Sequence, residues 1–157
     1  MSILLKIAQV IVESITFAHR PDYLAVLPSE VGNEQAVEFE TAMEIVNQPP
    51  AGIVRLRVFT KSAADGEPEK YSFDLRLVAI LEFTEDVPSN AEEHRQVVAS
   101  GVATLMPFAR QVIASLTSQG RFGAVYLPSM NVHMLLQSLN DAAEHTGGQA
   151  AGEDSPN

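Results

Sequence analysis

The chain alternates apolar and polar residues at the period of a β-strand, then changes to the period of a helix. The clearest run is Tyr71–Phe83. Tyr71, Phe73, Leu75, Leu77, Ala79, Leu81 and Phe83 share one parity, while Ser72, Asp74, Arg76 and Glu82 take the other. Successive strand side chains point to opposite faces, so this segment is predicted to be a strand with one wholly apolar face. Val78 and Ile80 make its second half apolar on both faces. That is more than a domain of this size needs to cover, and it points to a contact with another chain.

Ala36–Val46 alternates in the same way, with Val37, Phe39, Met43 and Ile45 against Glu38, Glu40 and Glu44. Asn47–Gly52, which contains Pro49 and Pro50, reads as a turn. Ile53–Lys61 follows as a strand, with Val54, Leu56 and Val58 on one face and Arg55 and Arg57 on the other. Glutamates on one strand and arginines on the next predict cross-strand ion pairs on the wet face, each contributing about 0.2–1 kcal/mol. Ala63–Lys70 reads as an exposed hairpin loop. Ile3–Phe17 is rich in Ile and Val, but Gln9 and Glu13 break its parity. It is predicted to be a strand with a bulge or with both faces buried, and a helix stays open as the alternative. Arg20-Pro21-Asp22 ends it, and Tyr23–Gln35 reads as a connection with at most a short strand.

Beyond Phe83 the period changes. Ser89-x-x-Glu92 has a capping-box pattern, which predicts a helix starting near Asn90 and running through Val97, Val98, Val102 and Leu105. Pro107 either kinks this helix or breaks it in two. Phe108, Ala109, Ile113 and Leu116 continue the apolar stripe. Gly120 stands where a left-handed C-cap belongs. Pro128-Ser129-Met130-Asn131 opens a last helix, with Val132, Leu135, Leu136, Leu139 and Ala143 on its apolar face. Residues 1–145 read as a single domain and residues 146–157 as a flexible acidic tail. The order of elements, four strands and then helices, predicts an α+β fold: a four-stranded antiparallel sheet with C-terminal helices on one face.

Composition narrows the function. A chain of 157 residues that is 46% hydrophobic can bury a core. The first apolar run contains Lys6 and Gln9 and is too short to span a bilayer, so a cytoplasmic protein without membrane insertion is expected. The chain has no cysteine, which rules out disulfides and thiolate metal sites. Its net charge of −10 disfavours binding to nucleic acid. That charge suits basic or unfolded partners, and it also serves plain solubility. His19, His94, His133 and His145 are isolated, and no phosphate-cradling glycine loop or nucleophile elbow is visible. The expectation is therefore a protein that is not an enzyme and has no cofactor or metal. Aromatic side chains, each able to fill the core, are the remaining candidates to line a groove.

Leu105-Met106-Pro107-Phe108-Ala109-Arg110 resembles the Leu-Phe-Pro-Tyr-Ala-Arg segment of SecB, the bacterial protein-export chaperone. The likeness continues through Ile113, Leu116, Gly120, Phe122, Leu127-Pro128 and Asn131. Upstream, Ser14-Ile15-Thr16-Phe17 is similar to the family's Asp-Ile-Ser-Phe, and Phe73–Phe83 to its fourth strand. The resemblance implies a SecB-like domain that holds unfolded polypeptide clients in apolar grooves without ATP. It also implies assembly as a homodimer or homotetramer, and the translocase motor SecA as a partner. On that reading Phe17, Phe73, Leu75, Leu77, Phe83, Phe108, Phe122 and Tyr126 contact clients, while Asp74 and Arg76 take part in partner docking. The chain departs from the family where Ser14, Ala18 and Arg76 replace acidic docking positions, and where Ile80-Leu81 replaces a glycine pair. A chaperone dedicated to one client, such as an antitoxin, and an interaction subunit binding a folded partner are the alternatives.

Overall fold

The four alternating stretches form one antiparallel sheet in the computed structural model. The structure describes residues 5–31, 35–61 and 70–128, with Asn131, His133, Met134 and Gln137. The strands are β1 (Leu5–His19), β2 (Val37–Asn47), β3 (Pro50–Thr60) and β4 (Tyr71–Phe83), in the spatial order β1-β4-β3-β2. β1 and β2 are therefore the two edges.

β1 is a strand, and its broken parity has a local cause. Its register against β4 shifts between Ile7 and Gln9 and again between Val12 and Ser14. Each shift restores apolar residues to one face, so Ile7, Val10, Val12, Ile15 and Phe17 pair with Leu81, Ala79, Leu77, Leu75 and Phe73. The turn between β2 and β3 is tighter than expected. Asn47 already pairs with Pro50, and the Gln48–Pro49 peptide is cis. Ala51 and Gly52 belong to the strand. The connection after β1 contains a short 3-10 turn, Pro28–Glu30, rather than a strand; Leu27 N–H donates to Glu30 Oε2 at 2.8 Å.

Helix α1 (Ala91–Ser118) lies across β3 and β4 and buries Val97, Val102, Leu105, Met106, Ala109 and Ile113 against them. Gly101 permits the contact: a Cβ there would lie 2.5 Å from Val54 Cβ on β3. Pro107 is exposed and does not divide the helix. The apolar residues on either side of it hold both halves on one sheet. The cap is Asn90, one residue beyond the Ser89 of the expected capping box, and the N3 glutamate reaches past it to the residue before. Asn90 Oδ1 accepts from Glu93 N–H at 2.9 Å, and Glu93 Oε2 accepts from Ser89 N–H at 2.7 Å.

Gly120 is not a left-handed cap, because the positive φ (77°) belongs to Gly123. Gly120 is needed for a different reason: a Cβ there would lie 2.6 Å from the Tyr71 ring. The segment after α1 then crosses back, burying Val125 and Leu127. Of the second predicted helix, His133, Met134 and Gln137 are helical and exposed among the described residues. The loop expected at 63–70, apart from Lys70, lies outside those residues, as does the tail at 146–157.

Candidate functional site: apolar surface beside the covered sheet

α1 sits over the middle of the sheet, and that decides which apolar side chains reach solvent. Phe73, Leu75, Leu77 and Phe83 do not: they are 0–7% exposed and form the core beneath the helix. The expectation that they contact clients is corrected for the single chain, because the row that looked available in sequence is the row α1 covers. Phe17 and Phe122 are half-buried. Phe108 and Tyr126 are exposed, Tyr126 to 78%.

The edge of the core nearest the crossing is aromatic. Tyr71 packs against Phe17 at 5.3 Å, His19 at 5.4 Å and Phe122 at 5.9 Å between ring centroids, and His19 lies 4.7 Å from Tyr23. The Tyr71 hydroxyl accepts from Phe122 N–H at 2.9 Å. It donates toward the Gly123 carbonyl at 2.9 Å, with the Thr117 carbonyl at 3.2 Å. Burial raises the Tyr71 pKa above the ordinary phenol value, so the hydroxyl stays protonated to donate. His19 Nε2 accepts from Arg121 N–H at 3.3 Å, and Arg121 Nε donates to the Val26 carbonyl at 3.3 Å. Arg121 thereby ties the crossing to both β1 and the connection that follows it.

That connection carries two apolar side chains the sequence reading passed over, Leu24 at 75% and Leu27 at 56% exposure. Their signal was present: Tyr23-Leu24-Ala25-Val26-Leu27 is an apolar run inside a segment read only as a linker. A second uncovered strip lies on β1. Its helix-side residues Ile7, Val12 and Ile15 are 54%, 52% and 38% exposed, because α1 rests on β3 and β4 and barely reaches this edge.

The opposite face of the sheet is charged. The expected cross-strand pairs are present: Glu40–Arg57 at 3.1 Å, Glu44–Arg55 at 3.3 Å and Glu38–Lys61 at 3.2 Å. Arg57 also grips Asp74, with Nη2 at 2.8 Å from Oδ2 and Nε at 3.1 Å from both oxygens. Those bonds from Arg57 hold the Asp74 carboxyl below its ordinary pKa and keep the guanidinium firmly protonated. Arg76 stands opposite Arg57 in the register, half-exposed, with Nε 3.6 Å from Asp74. Arg55, Arg57 and Arg76, with Glu13 and Glu40, line a hollow of about 280 Å³. Among the described residues no group of three or more His, Asp or Glu is placed to hold a metal ion. α1 is long and apolar enough to cross a bilayer by composition alone, and its buried face rests on the sheet.

No family model matches the sequence, and no curated protein matches it. Solved structures do match the fold. The Mycobacterium tuberculosis SecB-like chaperone Rv1957, solved with a ChAD peptide from the Rv1956 HigA1 antitoxin, superposes with a TM-score of 0.59 at 18% identity, covering 80% of this chain and 90% of that one. A protein of unknown function from Streptococcus agalactiae superposes with a TM-score of 0.59 at 10% identity, covering 82% of this chain and 100% of that one. Four antiparallel strands in the order β1-β4-β3-β2 with α1 across their middle are the SecB-like α+β fold, and this chain has that fold.

Proposed function

We propose that the chain is a chaperone that holds unfolded polypeptides on open apolar surface, without nucleotide and without catalysis. The observation that carries this reading is the pair Leu24 and Leu27, joined through Arg121 to the crossing that bears Phe122 and Tyr126. These side chains are open beside a core that α1 covers over β3 and β4. Each large apolar side chain buried by a client contributes about 1.5–3 kcal/mol, so two or three give modest affinity after ordering costs. Phe17 extends the same surface through Tyr71, and Phe108 offers a further exposed ring on α1. The SecB-like fold and the net charge of −10 support the reading. The test is aggregation of a refolding client protein. Suppression at stoichiometric ratio is expected, and aggregation unchanged by an excess of the chain overturns the proposal.

Assembly is part of the proposal. The uncovered strip Ile7, Val12 and Ile15 lies on an edge strand 15 residues long. A second copy pairing there satisfies the edge and covers the strip, giving a homodimer from which a homotetramer is built. Several surfaces in one particle raise avidity. Mass in solution checks this.

A second reading has its own support. Rv1957 was solved with an antitoxin peptide, so this chain serves either many clients or one dedicated client of that kind. Capture from lysate separates the two: many unfolded proteins favour general holding in the cytoplasm, while one stoichiometric protein favours a dedicated role or a folded partner. Delivery to SecA is the less supported extension. Asp74 is occupied by Arg57, and Arg76 places positive charge where the family has acid.

A further inference from the structure

The charged face of the sheet breaks two local rules at one place. Arg57 and Arg76 stand directly opposite each other on β3 and β4, and like charges so placed destabilise a strand pair. On β1 the second register shift leaves Glu13 without a partner on β4, between Val12 opposite Leu77 and Ser14 opposite Arg76. A bulge of this kind re-aims a side chain. Both irregularities meet at the hollow of about 280 Å³, which Glu13 and Arg76 line together with Arg55, Arg57 and Glu40. Ala42, the small residue between Glu40 and Glu44 on that face of β2, leaves room there. Departures from strand rules gather where a sequence serves a site rather than the fold.

The charges around the hollow are not equally engaged. Glu40 and Asp74 share Arg57, and Glu44 holds Arg55. Glu13 forms no ion pair among the described residues. Arg76 stands 3.6 Å from the Asp74 carboxylate, which Arg57 already occupies through Nε and Nη2, and its side chain stays 51% exposed. A lone anion entering the hollow meets Glu13 and Glu40, and a lone cation meets three guanidiniums. A small molecule carrying both charges satisfies both uncommitted groups at once. Neighbouring strands lie about 4.8 Å apart, so Glu13 on β1 and Arg76 on β4 can share one such molecule.

We propose that this hollow binds a zwitterionic α-amino acid, with its ammonium on Glu13 and its carboxylate on the Arg76 guanidinium. Arg55, diagonally across from Arg76 in the register, adds positive charge on the carboxylate side. The planar fork of Arg76 offers the carboxylate two parallel N–H donors. The site lies on the sheet face away from α1 and is independent of the holding function.

The probe is alanine, with acetate and methylammonium as controls at matched ionic strength, followed by NMR of the full chain. Exposed ion pairs are individually weak, so a Kd on the order of 1 mM is expected, with shifts centred on the amides of Glu13 and Arg76. Alanine is expected to bind about tenfold more tightly than either control. Glu13→Gln and Arg76→Gln should each lose about that tenfold, while Arg76→Lys, which keeps the charge and loses the fork, should lose less. Both glutamine variants should keep the thermal transition of the parent, and Arg76→Gln removes the repulsion from Arg57. If acetate shifts the same amides as strongly as alanine, the hollow is a plain anion site and the proposal is overturned. If alanine moves nothing, the proposal falls; a coupling between Glu13→Gln and Arg76→Gln in a double-mutant cycle of stability would then show that the two side chains pair with each other.

Discussion

The Tyr71 ring fills the space in which a side chain on Gly120 would begin: the missing Cβ would sit 2.6 Å from both Cε1 and the hydroxyl oxygen. The same hydroxyl is bonded to Phe122 and Gly123. Tyr71→Phe keeps the ring and strands the Phe122 N–H, so a loss of about 1–3 kcal/mol is expected in urea denaturation. Gly120→Ala should lower stability as well, by displacing the ring. An unchanged midpoint for both variants would show that the hydroxyl is not what holds the crossing.

Gly101 sets the distance between α1 and the sheet. Ala gives the better helix propensity, so a solvent-facing Gly→Ala change stabilises a helix. Here the added carbon would meet all three side-chain carbons of Val54 at 2.5–2.6 Å. Gly101→Ala is expected to destabilise by about 1–3 kcal/mol, the usual cost of overpacking. Gly101→Ala with Val54→Ala should recover part of the loss.

Stability is expected to fall in acid. Bonds from Arg57 depress the Asp74 pKa, and the hydrogen bond from Ser89 N–H depresses that of Glu93. A carboxylate depressed in the fold contributes stability that is fully present above its unfolded value, about 4, and is lost as the pH falls through its folded value. Denaturation midpoints at pH 7, 5, 4 and 3 should therefore be flat and then drop. Asp74→Asn should be less stable at pH 7 and show a shallower drop.

Core and surface aromatics should separate cleanly. Phe73→Ser is expected to cost about 3–5 kcal/mol, since it empties a buried site and adds a hydroxyl. Leu24→Ser with Tyr126→Ser should leave the thermal transition in place and weaken suppression of client aggregation. Full suppression by that folded double variant would move the client surface elsewhere.

The β1 strip has a test by charge. Val12→Glu with Ile15→Glu places carboxylates where two copies would meet. The solution mass should fall to that of one chain, measured by light scattering, with the far-ultraviolet spectrum retained.

Much of the fold was legible because β4 alternates without error and the Glu and Arg rows on β2 and β3 fix which face is wet. For Ile3–Phe17 the broken parity left a bulged strand, a strand buried on both faces and a helix all open, and only the register against β4 selects the bulges. The client surface was less legible. Periodicity says that Phe73 and Leu75 share a face, but not whether a helix covers that face. Leu24 and Leu27 lie in an irregular connection, where no period exists to mark them. Gly120 was noticed for the right residue type and the wrong cause, because a close approach by Tyr71 leaves no local pattern. Pro107 was read as a possible break, yet long apolar contacts on both sides outweigh one missing N–H.

The crossing after α1 is fastened by hydroxyls rather than by a ladder. Thr117 Oγ1 donates to the Ile113 carbonyl and accepts from Val125 N–H, both at 2.7 Å, and Tyr71 holds the residues between. A stretch tethered at so few points is expected to open before the four strands do, and amide exchange at Val125 faster than in β3 and β4 would register that opening. Val125 and Leu127, its buried side chains, are the ones such an opening would wet.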